Sequence, residues 1–96
     1  MKIEITSRHF IPSNKLKELV EEKVKKIIKY NVALTRCHVI LSKENGSDEN
    51  VEIVAHSKGH EFIASDNSDL FEKSLANTVK KISIQLQKQH DKIVGH

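Results

Sequence analysis

Residues 37–65 read CHVILSKENGSDENVEIVAHSKGHEFIAS. Cys37, Val39 and Leu41 fall on one side of an extended chain, and His38, Ile40 and Ser42 fall on the other. That period of two predicts a strand. Asn45-Gly46-Ser47-Asp48 is a turn or loop signal. Val51, Ile53 and Ala55 then alternate with Glu52, Val54 and His56, which predicts a second strand. Lys58-Gly59 supplies a tight turn, and His60 to Ser65 forms a third strand with Phe62 and Ala64 on one side. Strands this close in sequence pair with one another, so the stretch predicts an antiparallel meander.

The flanks supply a fourth strand and two helices. Near the start, Lys2-Ile3-Glu4-Ile5-Thr6 alternates polar and apolar as a short strand. Pro12 breaks the chain, and Ser13 is a good N-cap. Leu16, Leu19, Val20, Val24, Ile27 and Ile28 follow three or four apart, predicting a helix from about 14 to 29 that stops at Asn31. Beyond the meander, 66–69 offers several N-caps, and Asp69 with Glu72 resembles a capping box. Phe71, Leu75, Val79, Ile82, Leu86 and Ile93 then predict a long amphipathic helix reaching about His90. The predicted fold is α+β, in the order βαβββα. A four-stranded sheet with both helices on one face buries both apolar stripes.

Ninety-six residues predict one domain, 1–96, with a small core. The single cysteine, Cys37, excludes an intrachain disulfide and a cysteine-based zinc site. An unstapled domain of this size fits a reducing cytoplasm. Apolar runs of three residues or fewer exclude a membrane-spanning helix, and the N-terminus shows no export signal.

The formal net charge is +3, but it is unevenly spread. Residues 36–65 carry three cations against five acids, whereas 73–96 carry five lysines against Asp91 alone. This asymmetry points to a polyanionic partner. At ~100° per residue from Phe71, Lys73, Lys80, Lys81, Lys88 and Lys92 fall between about 180° and 300°, opposite the apolar stripe. Asn77 shares that arc. A lysine row suits phosphates, although lysines also populate solvated faces. The first helix adds Lys15, Lys23, Lys26 and Lys29 on one flank, with Lys23 at the apolar border, where it either meets a ligand or snorkels over the core edge.

Catalysis is weakly supported. The chain has no Gly-rich phosphate loop and no recognisable histidine–acid metal set, so neither a metal nor a cofactor is expected. His56 and His60 flank a turn and are placed to approach each other, but surface histidines are the ordinary outcome. Cys37 on its strand reads as a small buried residue. Arg8 and His9 are the one local pair that a small hydrolase reading nominates. Base stacking lacks exposed rings, because Phe62 and Phe71 read as core.

In order and spacing along nearly its whole length, the chain resembles the short ribosome-hibernation factors, the family of hibernation promoting factor and ribosome-associated inhibitor A. The resemblance rests on Ile3 to His9, Leu16 to Lys23, Gly59 to Ser65 and Asp69-Leu70-Phe71, then Lys80-Lys81-Ile82 and Gln85 to Lys92. It implies a βαβββα domain similar to double-stranded RNA-binding domains. It also implies a non-catalytic cytoplasmic protein that binds the small ribosomal subunit and its rRNA in the mRNA/tRNA channel. Such proteins inhibit translation and promote hibernation in stationary phase. By position, Lys23, Lys26, Lys80, Lys81, Lys88 and Lys92 resemble the rRNA contacts, and Lys73 extends the row. Two positions depart from the family pattern: Ile84 stands where an arginine is common, and Ser7 replaces a usual glycine. With neither a second domain nor an extended tail in this sequence, the short promoting type is the nearest branch. The alternative is a standalone domain for another structured RNA.

Overall fold

The computed structural model describes residues 1–27, 33–44 and 48–94, with Glu44 and residues 92–94 as backbone only. The elements are β1 (Lys2–Arg8), α1 (Asn14–Lys25), β2 (Leu34–Glu44), β3 (Asp48–Ser57), β4 (His60–Ser68) and α2 (Phe71–Val94). The predicted βαβββα order is observed. Residues 28–32 and 45–47 lie outside the described residues, and with them Tyr30, Lys29, the predicted stop at Asn31 and the first three residues of the predicted turn.

The sheet order is β1-β2-β3-β4. β1 runs parallel to β2, with Ile3 opposite Cys37 and Ile5 opposite Val39. A parallel pair needs a crossover, and α1 supplies it. The other two pairings are antiparallel, as the meander predicts. Gly59 turns β3 into β4 at φ +81°, a conformation that glycine adopts without a Cβ clash.

One apolar layer lies between the sheet and the helices. Cys37, Val39, Leu41, Val51, Ile53 and Ala55 from the sheet meet Val20, Val24 and Ile27 of the first helical segment, and Leu75, Ile82 and Leu86 of α2. Alternation put those strand residues on one face, and helical spacing put the helix residues on one stripe. Phe62 and Phe71 are buried, as the sequence predicts. Phe71 stacks on Phe10 with ring centroids 4.8 Å apart, closing the end of the core where β1 leads into α1. Between them, at the start of that connection, His9 takes a left-handed φ of 71°.

The two helix starts are built differently. Ser13 caps α1 as expected, its hydroxyl accepting the Leu16 N–H at 3.1 Å. The α2 start departs from expectation. Asp66, Asn67 and Ser68 are strand residues, paired with Val51, Asn50 and Glu49, so β4 runs three residues further than its alternation indicates. Asp69 and Glu72 form no capping box. Instead the Glu49 carboxylate on β3 accepts the Phe71 N–H at 2.8 Å. An anion there also complements the positive end of the helix dipole. The Ser74 hydroxyl donates to the Glu49 carbonyl at 2.6 Å, and the Thr78 hydroxyl shares its proton between the Ser74 carbonyl one turn back at 2.7 Å and the Val51 carbonyl at 3.2 Å. Those bonds align α2 along β3.

Candidate nucleic-acid interface

The candidate surface is the outer side of the helix layer. α2 is amphipathic, so the burial of Leu75, Ile82 and Leu86 turns the opposite arc outward. Lys73, Lys80, Lys81 and Lys88 are all exposed. On α1, Lys26 is exposed at the C-cap, where its N–H bonds the Lys23 and Val24 carbonyls. Lys23 is half-buried, the place of a stem lying along the core edge. The Lys92 side chain lies outside the described residues.

The lysine row is not uniform. Lys73 stands 4.0 Å from Asp69, one turn before it. Lys81 donates to the Ser65 carbonyl at 2.8 Å and to the Asp66 carboxylate at 3.1 Å. Lys80 and Lys88 have no carboxylate partner among the described residues. The sequence shows almost no acid after Glu72, yet the fold returns Asp66 to the middle of the row from β4.

Asp66 and Lys81 belong to a larger arrangement. Asn77, Lys81, Gln85 and Gln89 recur every fourth residue along one flank of α2. Asn77 donates to Asp66 at 3.0 Å, Gln85 donates to the Ile63 carbonyl at 2.7 Å, and Gln89 meets His60 at 3.3 Å. β4 is an edge strand. This flank therefore occupies carbonyls that the sheet leaves unpaired, one way of blunting an open edge. The sequence signal for it was present, an amide or lysine at every fourth position beside the apolar stripe, but Asn77 and Lys81 read as part of the basic arc.

Electrostatics sharpen the contrast. The Asn77 amide and the Lys81 ammonium hold the Asp66 carboxyl below its ordinary pKa, with the amide bond the larger cause and burial opposing it. Asp66 therefore stays ionised and offsets the charge of Lys81. On the open face of the sheet, acids lie beside basic side chains: Arg36 is 3.9 Å from Glu4, and the His56 ring is 3.4 Å from Glu61. The helix side is the basic side.

The catalytic alternatives find little geometry. Cys37 is fully buried, and desolvation pushes its thiol up to about 11, so it stays protonated. His56 and His60 do not converge. His56 stands between Arg36 and Glu61, whereas His60 turns to Gln89 and stacks on Phe62. Among the described residues no three metal-ligating side chains gather. Arg8 and His9 are both exposed.

A four-stranded mixed sheet carrying two helices on one face, with lysines along the outer helix surface, defines a small α+β domain with a basic helix side. The sequence profile of the Sigma 54 modulation protein / S30EA ribosomal protein family matches residues 3–94. The chain belongs to that family, which bears out the resemblance to the short ribosome-hibernation factors. Solved structures agree on the fold. A ribosomal subunit interface protein from Coxiella burnetii superposes with a TM-score of 0.81 at 23% identity, covering 93% of this chain and 97% of its own. The Protein Y N-terminal domain of Thermus thermophilus gives 0.82 at 18% identity, covering 92% and 98%. Among curated proteins no sequence matches this chain.

Proposed function

We propose that residues 1–96 act as one ribosome-binding domain, a cytoplasmic and non-catalytic inhibitor of translation. Its target is the small ribosomal subunit, in the channel that mRNA and tRNA otherwise occupy. Bound there, it holds ribosomes in hibernation during stationary phase. The observation that carries this reading is the outward lysine surface of α2, with Lys80 and Lys88 free of acids among the described residues, in a chain of the S30EA family. Ammonium groups on a rigid helix meet phosphates by position and charge, without reading base edges. Lys73 and Lys26 extend the same side, and the Lys23 stem supports its border. Occupying an RNA channel needs binding alone.

Sedimentation of stationary-phase lysate tests the proposal. The protein is expected to travel with small subunits or whole ribosomes at low salt and to leave them as salt rises. Recovery only in the soluble fraction at low salt would overturn it. Equal affinity for small subunits and for unrelated structured RNA would favour a general RNA-binding domain instead.

A further inference from the structure

Asp66 is an acid set inside a basic surface. Its carboxylate bonds Lys81 at 3.1 Å and Asn77 at 3.0 Å, and its side chain is only 19% exposed. The Lys81 side chain is 53% exposed, so its ammonium is within reach of solvent and of any anion that docks on α2. An ammonium has three donors. One goes to Asp66 and one to the Ser65 carbonyl, leaving one. A phosphate taking that last donor would share the ammonium with a carboxylate, and the two anions repel. Lys80 and Lys88, with no such partner among the described residues, meet phosphate at full charge.

We propose that Asp66 is a built-in competitor for phosphate, which withholds Lys81 from the nucleic-acid surface and so limits the strength of the complex. The inference rests on the ribosome-binding reading above. It divides the row into working lysines, Lys80 and Lys88, and a withheld one, Lys81. The division follows from topology. β4 runs antiparallel along α2, so the last residues of the strand face the second and third turns of the helix. In this arrangement Lys81 serves the sheet edge first and the ligand second.

A double-mutant cycle on purified small ribosomal subunits tests it, with Asp66→Asn, Lys81→Met and the pair titrated across a salt series. Asp66→Asn keeps the shape and the contact to Asn77 while removing the competing carboxylate charge from the ammonium, whose bond to the Ser65 carbonyl remains. It is expected to tighten binding at low salt and to add close to one phosphate contact. A fourfold rise in salt should then cost about threefold more affinity than it costs the wild type, from a slope of 0.7–0.9 per contact. In the Lys81→Met background the same substitution should change nothing. Asp66→Glu, which restores the competitor, should return the wild-type slope. Asp66→Ser is the second variant should the amide disturb the strand, and thermal unfolding confirms that each protein folds.

Weaker binding by Asp66→Asn would overturn the proposal and make Asp66 a support for Lys81 as a ligand. An equal gain with and without Lys81 would also overturn it, because the effect would then be general charge. Failure of the underlying reading looks different: wild type and Lys80→Gln/Lys88→Gln would bind subunits equally poorly at all salt concentrations, and the proposal would fall with it.

Discussion

Asp66 makes the clearest residue-scale prediction about stability. Its pKa is held down in the folded protein, by the Asn77 amide first and Lys81 after it. A carboxyl lowered below its unfolded value of about 3.9 adds stability above that pH and loses it as pH falls through the folded value. Asp66→Asn removes the titrating group. Below about pH 4 the unfolding midpoint of the wild type should therefore fall more steeply than that of the variant, and thermal unfolding from pH ~3 to ~6 measures it. Parallel curves would mean that Asp66 gains nothing from its partners. Ile84 offers the complementary test. It is 50% exposed and lies between Lys80 and Lys88, four residues from each. Ile84→Arg should move stability by less than ~0.5 kcal/mol. It should tighten subunit binding severalfold and steepen the salt slope by roughly one contact. Unchanged affinity in a folded protein would remove that line of α2 from the interface.

At the scale of elements, α2 is held by its apolar stripe and by polar bonds on two sides. Glu49, Ser74 and Thr78 tie its first turns to β3, and the Asn77-to-Gln89 flank ties it to β4. Leu75 is fully buried between those ties. Leu75→Ala should cost about 2–5 kcal/mol, read by denaturant unfolding, because the bonds on either side keep the helix from collapsing into the cavity. A cost below ~1 kcal/mol would mean that the helix re-seats easily. The elements show what the sequence could reveal. Strand faces and helix stripes are local patterns, and Cys37, Val39 and Leu41 lie where their alternation puts them. The cap of α2 is not local: Glu49 and Phe71 are 22 positions apart and meet only after β3 and β4 have paired. Asp66, Asn67 and Ser68 have turn-forming side chains, but their pairing with β3 carries them into the strand. Here ladder hydrogen bonds outweigh turn propensity.

For the whole molecule, the same distinction separates the parts of the candidate surface. The lysine arc is legible because five residues share a helical phase. The partnership of Lys81 with Asp66 spans 15 positions and exists only through the packing of α2 along β4. Net charge along the sequence thus overstates what α2 offers a ligand. The molecule is polarised all the same, with Glu4 and Glu61 on the open sheet face and lysines on the helix side. The central claim is that the outward lysines of α2 carry ribosome binding. Salt dependence measured on paired variants tests it most directly, because each neutralised phosphate releases counterion. Lys80→Gln with Lys88→Gln removes two exposed charges from the α2 surface, and Lys17→Gln with Lys25→Gln removes two exposed charges from α1 outside the assigned contacts. The α2 pair should weaken small-subunit binding sharply and flatten the salt slope by roughly 1.4–1.8, while the α1 pair should change it little. Equal loss from both pairs, or no loss from either, would contradict the account.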